Sequence, residues 1–233
     1  EVNLKMNNQK KVSYAVLNAI QKLTDEKTKP QFRVFRDSRG NAYLNVTNAV
    51  LLWTNFSGTS YGGRQGNNSL DQFGKDKRYF NLALDEETAN IVEELGWNVK
   101  ECMTGEEDYP VLHYVKVSIR IQHPYTYDKD AAFPSDIHLV TCFNGKETDE
   151  ELVDDEVSRL DGRRTNATQP IIDIKAINCQ IRSYHYDRNG NSGIALALST
   201  MTVYADEISM FADPHDAELA RNSIKVESVD DKK

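Results

Sequence analysis

The fold class of this chain follows most directly from two runs near its C-terminal end, residues 171–187, IIDIKAINCQIRSYHYD, and residues 192–206, SGIALALSTMTVYAD. Both are rich in the β-branched and aromatic residues that favour strands. Between them lie four residues, RNGN, and an Asn-Gly pair in such a place favours a two-residue turn, because both turn positions need a positive φ. The sequence therefore predicts a long β-hairpin with Asn189 and Gly190 at its turn.

Further strands are predicted upstream of the hairpin. Residues 111–121, VLHYVKVSIRI, show the alternation of apolar residues that is typical of a half-buried strand. Other strand-forming runs cover residues 31–37, 42–53, 78–84, 97–103 and 136–143.

Three short helices are predicted as well. Residues 85–96 have Asp85 as a helix N-cap and Gly96 as a helix end. Residues 148–162 begin with a capping box formed by Thr148 and Glu151 and end at a glycine. A third helix is predicted over residues 15–23.

This order of elements predicts a mainly β protein, an OB-fold-like antiparallel barrel that carries a helix between two of its core strands. We expect an N-terminal arm at residues 1–30, the barrel domain at residues 31–208 and an acidic C-terminal tail at residues 209–233. Within the domain, residues 57–76 contain five glycines. Such a long loop in a compact domain usually has a function.

Charge is distributed unevenly along the chain. The 233 residues carry a net charge of −8, of which residues 143–161 contribute −6 and residues 206–233 contribute −4. The remainder is therefore +2, and we expect a mildly basic body that suits a polyanionic partner.

The sequence also indicates where the protein works. No run of about 18 apolar residues is present, so we expect no membrane-spanning segment and no membrane partner. The three cysteines, Cys102, Cys142 and Cys179, form no C-x-x-C pair. This pattern predicts reduced thiols in a cytoplasmic protein.

Aromatic and basic residues occur together around the long loop. Proteins hold single-stranded nucleic acid in grooves that place cations along the phosphates and rings under the bases. The mixture occurs in GKDKRYFNLAL, residues 74–84, in GWNVK, residues 96–100, and in RSYHYDR, residues 182–188, where Arg182 and the even-numbered residues after it share one strand face. The candidate DNA-binding residues are Trp53, Phe56, Tyr61, Arg64, Lys75, Lys77, Arg78, Tyr79, Trp97, Lys100, Tyr184, Tyr186 and Arg188.

A family resemblance adds to this interpretation. The succession LLWTNFSG, the glycine-rich loop, GKDKRYFNLAL, a short acidic helix, GWNVK and a late strand ending ALALSTMTVYAD resembles the OB-fold single-stranded-DNA-binding proteins encoded by bacteriophages. The resemblance spans residues 46 to about 208. We predict single-stranded-DNA binding without catalysis or cofactor and with little sequence preference, because rings stack on any base. The resemblance implies a protein that coats displaced single strands in phage DNA replication or recombination. It also implies that the acidic tail recruits replication or recombination proteins, and it leaves formation of a homo-oligomer open.

Two other functions remain open on the sequence alone. A metal-dependent nuclease or related DNA-processing enzyme would use Asp136, His138 and His185, although no H-x-x-x-H or C-x-x-C metal signature is present. A β-rich structural or adaptor protein would bind only other proteins. Core packing explains the rings of Trp53 and Phe80 as well as base stacking does.

Overall fold

The computed structural model describes residues 13–58, 78–102, 110–119, 134–143, 146–153, 156–161, 171–188 and 190–208. Within them the chain is mainly β, as predicted, and ten strands join in one sheet. The helices are α1 (Tyr14–Thr24), α2 (Glu86–Glu94) and a 3-10 helix (Glu156–Asp161). The strands are β1 (Gln31–Arg36), β2 (Ala42–Thr47), β3 (Leu51–Asn55), β4 (Arg78–Leu84), β5 (Lys100–Cys102), β6 (Leu112–Ile119), β7 (Pro134–Phe143), β8 (Lys146–Val153), β9 (Ile171–Arg188) and β10 (Asn191–Ile208).

The sheet is organised around β10. One edge of β10 pairs with β9 in antiparallel register along its whole length. The other edge is shared: Ala197 pairs with Ser118 of β6, and the residues from Met201 to Asp206 pair with β7, both in parallel. The full order is β1-β2-β9-β10-β6-β4-β3, with β5 on β6 and β8 on β7. Among the described strands the path is open at β1 and at β3, so the sheet is OB-like without closing into a barrel.

The two faces of this sheet have different compositions. The inner face carries the main hydrophobic core, including Leu44, Ile181 and Val115, and α2 packs on it. The outer face carries a smaller apolar cluster in which Val16 and Ala19 of α1 are buried with Leu52, Ala83 and Leu112 of the sheet. The helix predicted over residues 15–23 is therefore confirmed, and it is held against the sheet.

The predicted hairpin is confirmed and is longer than its sequence pattern indicates. β9 and β10 have 18 residues each, Arg188 pairs with Asn191, and Gly190 has a φ of 78°. Near the turn, Tyr186 packs across Gly193: a Cβ added to this glycine would lie 2.7 Å from the Tyr186 hydroxyl oxygen. The glycine therefore leaves the space that the tyrosine ring fills.

The helix predicted over residues 85–96 is confirmed as α2. The Asp85 side chain accepts a hydrogen bond from the backbone N–H of Thr88 at 2.8 Å, which satisfies one of the free donors of the first turn. Thr88, Ala89 and Val92 are buried against the sheet. No helix among the described residues is both long and apolar enough to cross a membrane.

The helix predicted from Thr148 is wrong. Residues 146–153 form strand β8, which pairs with β7 in antiparallel register, and Thr148 lies opposite Thr141 with their hydroxyl oxygens 2.7 Å apart. Leu152 is completely buried, whereas Glu147, Asp149 and Glu151 are exposed at the alternate positions. Tertiary pairing overrides the local capping signal here, and among the described residues that follow, Glu156–Asp161 form the 3-10 helix.

A second difference concerns residues 42–53, which the sequence predicts as one strand. Asn48 has a φ of 56°, a conformation that asparagine tolerates better than most residues, and the chain turns there between β2 and β3. Its backbone N–H donates to the Asn178 side chain, which ties the turn to β9.

The three cysteines are unpaired, in agreement with the predicted thiols. Cys142 is exposed and Cys102 is half-buried. Cys179 is buried on the inner face, and burial raises the pKa of its thiol to about 12.

The assignment of β8 can be tested by substitution. We expect Leu152→Ala to lower the free energy of unfolding by about 2–5 kcal/mol, because it removes a completely buried side chain from the core. Glu147→Ala, on the exposed side of the same strand, should change it by less than about 0.5 kcal/mol. Urea denaturation measures both. Equal effects of the two substitutions would contradict the strand assignment.

Candidate nucleic-acid interface

The pairing register fixes which side chains share the outer face of the sheet. Residues that lie opposite one another in a ladder point to the same face, so one row can be followed across six strands. From β1 to β4 this row is Phe35, Tyr43, Arg182, Ala197, Ser118 and Tyr79. Alternate residues on each strand continue the outer face along the strands.

One group of rings and cations lies on β3, β4, β5 and β6. Trp53 contacts Tyr114 edge to face, with 5.1 Å between ring centroids. The Lys116 ammonium nitrogen lies 3.8 Å from the centroid of the Tyr79 ring. Lys100 is exposed and lies directly opposite Tyr114 in the β5–β6 ladder. We call this group the Trp53 patch: Trp53, Tyr79, Lys100, Tyr114 and Lys116.

A β-bulge positions Trp53. The register between β3 and β4 shifts between Leu52 and Asn55, so Trp53 and Thr54 of β3 lie opposite the single residue Phe80 of β4. The Asn81 side-chain amide donates to the carbonyl oxygens of Leu52 and Trp53, both at 3.3 Å. These bonds satisfy backbone groups that the bulge removes from the ladder, and they leave the indole 41% exposed beside Tyr114.

The backbone of Trp53 is strained. Its φ is 43°, and a bulky residue with positive φ is an outlier because its Cβ crowds the following carbonyl. Such strain is typically retained at functional positions. A glycine would fit this conformation better, so the tryptophan is present for its side chain.

The outer faces of β1, β2 and β9 carry a second group. The rings of Phe35 and Tyr43 stack, with 5.2 Å between centroids and 11° between planes. Arg33 and Arg182 are exposed on the same face. We call this group the Tyr43 patch: Arg33, Phe35, Tyr43, Arg182 and Tyr184.

The turn between β1 and β2 holds the side chain of Tyr43. The Tyr43 hydroxyl donates to the Asp37 carboxylate at 3.4 Å. Asp37 also accepts from the Asn41 side chain and from the backbone N–H groups of Asn41 and Arg39. These hydrogen bonds, the Asn41 side chain first, lower the pKa of Asp37. The carboxylate is thus already engaged by the turn.

The structure places two predicted stacking residues in the core instead. Phe56 is 2% exposed and packs on Phe80, with 6.1 Å between ring centroids. Trp97 is 3% exposed in the same cluster with α2. Neither ring has a free face on which a base could stack, so both are corrected to core residues.

The other predicted residues have different placements. Tyr79 and Lys100 lie in the Trp53 patch, but Arg78 pairs with buried Ile119 and so points to the opposite face from Tyr79. Tyr184 and Tyr186 lie on the outer face of the hairpin opposite Ala195 and Gly193, and Arg188 is the last residue of β9. The remaining candidates, Tyr61, Arg64, Lys75 and Lys77, lie outside the described residues, as do most of the glycine-rich loop and the acidic tail.

Sequence reasoning missed several residues of both patches, namely Arg33, Phe35, Tyr43, Tyr114 and Lys116. The signal was present in the strand patterns. In β6 the odd positions Val115, Val117 and Ile119 are core positions, and the even positions from Tyr114 to Ser118 hold a ring, a cation and a hydroxyl. A search for polar and aromatic residues on the solvent-facing half of each strand would have found them.

Charge divides the outer face into two regions. On β1, β2, β4, β6 and the stretch of β9 from residue 178 to residue 186, the described outward positions hold no Asp or Glu. The opposite end, β8, presents Glu147, Asp149 and Glu151 on this face, opposite Cys142, Val140 and His138 of β7. An anionic ligand is therefore attracted to one end and repelled from the other.

The residues proposed for a nuclease metal site do not come together. His138 lies beside Thr202 of β10, whereas His185 lies beside Ile194. These positions are about 26 Å apart along the strand at roughly 3.3 Å per residue, far beyond the reach of a shared metal ion. His138 instead contacts Asp149 at 3.1 Å. No group of three metal-ligating side chains occurs in the part of the chain that the structure describes.

Proteins similar to this chain are found among solved structures. No protein-family model and no curated protein sequence matches the chain. Among solved structures, the single-stranded DNA-binding protein from bacteriophage Enc34 matches with a TM-score of 0.34 and 11% identity over 81% of this chain and 99% of that chain. The same protein in complex with ssDNA matches with a TM-score of 0.35 and 11% identity over 77% and 97%. TM-scores of this size do not establish a shared fold.

The strained backbone at Trp53 leads to a stability prediction. Glycine in an ordinary strand destabilises relative to alanine by about 0.5–1 kcal/mol, whereas a left-handed backbone penalises alanine by about 1–2 kcal/mol. We therefore expect Trp53→Gly to be more stable than Trp53→Ala by about 1 kcal/mol in urea denaturation. At Arg182, inside a regular ladder, the glycine variant should be the less stable one. The same order at both sites would contradict a strained Trp53.

Proposed function

We propose that this protein binds single-stranded DNA through the Trp53 patch, without catalysis and without a cofactor. One observation carries the proposal: a single solvent-facing surface brings together the Trp53, Tyr79 and Tyr114 rings and the Lys100 and Lys116 side chains. Rings that stack on bases and cations that contact phosphates are the two elements that single-strand binding requires.

The geometry of the patch favours a single strand over a duplex. The rings lie on a sheet surface, where unpaired bases can reach them and the bases of a duplex, stacked on one another, cannot. The contact between Lys116 and the Tyr79 ring limits the freedom of the lysine before a ligand arrives. Less side-chain entropy is then lost when its ammonium group binds a phosphate.

We expect little sequence preference. Every base has a flat face that can stack on an aromatic ring, whereas base identity is read by hydrogen bonds to base edges. In the Trp53 patch, rings and long cations predominate over the amides that pair with base edges. Asn81 carries such an amide on the same face. However, it is only 7% exposed, and its amide donates to backbone carbonyl oxygens of the bulge.

The setting of this activity is proposed from the resemblance found in the sequence. We place the protein in phage DNA replication or recombination, in the cytoplasm of the host, where it covers displaced single strands. The acidic tail, residues 209–233, is proposed to recruit replication or recombination proteins. An adaptor that binds only proteins is the competing function, and it predicts no affinity for oligonucleotides.

The stacking contribution can be measured with a fluorescent oligo-dT. We expect Trp53→Leu and Tyr79→Leu each to weaken binding by about 5-fold to 150-fold, which corresponds to the roughly 1–3 kcal/mol that stacking contributes per base. Leucine preserves apolar contact with the sheet but removes the flat ring. Tyr204→Leu is the matched control, since Tyr204 is 39% exposed near the acidic end of the sheet.

If both patch variants bind the oligonucleotide as tightly as the wild type, the Trp53 patch is not the binding site. Absence of binding by the wild type would favour the adaptor. Cleavage of the oligonucleotide that stops when divalent metal is chelated would favour the nuclease, so each titration is repeated with a chelator.

The phosphate contacts can be measured through salt dependence. The Lys100→Ala/Lys116→Ala double variant should lower the slope of log K against log salt by about 1.4, since each lost contact with a single strand removes roughly 0.7. Lys175→Ala should leave the slope unchanged, because Lys175 already pairs with Asp173 and Asp206. A slope that is equal in all three proteins would exclude these lysines from the interface.

A further inference from the structure

The Tyr43 patch has no role in the function proposed above, although it has the same chemistry as the Trp53 patch. It combines a stacked ring pair, Phe35 and Tyr43, with two exposed guanidinium groups, Arg33 and Arg182. Stacked rings flanked by arginines form a surface suited to bases and phosphates. The Asp37 carboxylate at the edge of this patch accepts hydrogen bonds from Tyr43, Asn41 and the backbone N–H of Arg39.

The register of the sheet joins the two patches on one face. Tyr43 lies opposite Arg182, Arg182 opposite Ala197, Ala197 beside Ser118, and Ser118 opposite Tyr79. The row therefore runs from the Tyr43 patch to the Trp53 patch without changing face.

The strand between the patches carries small side chains. β10 presents Ala195 and Ala197 outward at this level, and Ala197 is completely buried, so a crossing strand would contact the side chains around it and not its methyl group. Methyl side chains do not project far from the sheet at the point where a DNA strand would have to cross. Bulky or acidic residues at these positions would have separated the patches by shape or by charge.

The distance between the patches suits one ligand molecule. Four strand spacings of about 4.8 Å separate β2 from β4, which is about 19 Å along the sheet. Proteins of this kind bind segments of about 4–16 nucleotides per domain. A single strand of ordinary site size therefore reaches both patches.

The charges on the outer face favour one of two directions in which a bound strand could leave β10. From β10 the outer face leads either to β9, β2 and β1 or to β7 and β8. The β8 direction ends at Glu147, Asp149 and Glu151, which repel phosphates, whereas the β9 direction leads to Arg182 and Arg33.

We propose that one DNA single strand crosses the sheet roughly perpendicular to its strands, from the Trp53 patch over β10 to the Tyr43 patch. This inference rests on the proposed function and extends it to the path and length of the bound segment. The Trp53 patch binds the first nucleotides, and the Tyr43 patch adds affinity only for strands long enough to reach it. Joining two contacts through one ligand raises affinity because the second contact becomes intramolecular.

The experiment compares affinity across a length series of oligo-dT from about 4 to about 16 nucleotides. The wild type should gain affinity at least about tenfold between the shortest and the longest strand. Arg33→Ala/Arg182→Ala should lose most of this gain and reach constant affinity at a shorter length, while binding the shortest strand as the wild type does. On the longest strand, its salt slope should fall by about 1.4.

Arg36→Ala is the matched control for charge. Arg36 is exposed at the end of the same strand as Arg33, but alternation places it on the opposite face. It should keep the full gain with length. A second variant, Phe35→Leu/Tyr43→Leu, removes the rings without removing charge and should also shorten the length at which affinity becomes constant; circular dichroism verifies that it is folded.

The outcomes separate the two proposals. If the arginine double variant keeps the wild-type gain with length, the path across β10 is refuted while binding at the Trp53 patch stands. An equal loss at every length also refutes it, because a short strand confined to the Trp53 patch would not be affected. If the wild type binds no oligonucleotide of any length, the proposed function itself fails.

Discussion

The arrangement of this protein depends on the pairing of one strand, β10. One edge of β10 pairs with β9 along the whole strand, and the other edge pairs with β6 at Ala197 and with β7 farther along. Through β9 it fixes β2 and β1, through β6 it fixes β4, β3 and β5, and through β7 it fixes β8. The aromatic patches and the acidic strand are therefore placed relative to one another by hydrogen bonds to the two edges of a single strand.

Register on β10 is constrained by burial. The side chains on its inner face, among them Leu196, Leu198 and Val203, belong to the main core. A slip of one residue in any of these ladders would turn the core side chains of a strand outward and its polar side chains inward. The same constraint that keeps Val115 and Val117 in the core therefore keeps Tyr114 and Lys116 on the outer face.

The outer face is a packing surface, and it is also the surface proposed to bind DNA. Its apolar part, Leu52, Ala83 and Leu112, is covered by α1, which leaves the rings and cations of the neighbouring positions accessible. The bulge in β3 marks the boundary, because Leu52 faces α1 and Trp53 faces Tyr114. Asn81 stabilises this change of direction through its bonds to both backbone carbonyls. A strained tryptophan held by a buried amide is consistent with a site whose geometry is set before its ligand binds.

The sequence by itself determined the elements whose signals are local. The Asn-Gly turn, the N-cap at Asp85 and the alternation in β6 depend on neighbouring residues only, and each was predicted correctly. The mainly β class follows from them. The sequence also showed that aromatic and basic residues occur near one another along the chain, because neighbouring positions can be read directly from it.

Only the tertiary structure decided which of those rings are available. Phe56 and Trp97 are as aromatic in sequence as Trp53, but packing against Phe80 and α2 buries them, and no local pattern reports on a partner from a distant strand. The same holds for β8, where pairing with β7 outweighs a capping signal. Tyr43 and Tyr114 lie far apart in the chain, and they share one face only because hydrogen bonds through β9, β10 and β6 align their strands. Local propensity acts over a few residues, whereas a shared sheet face is set by long-range register.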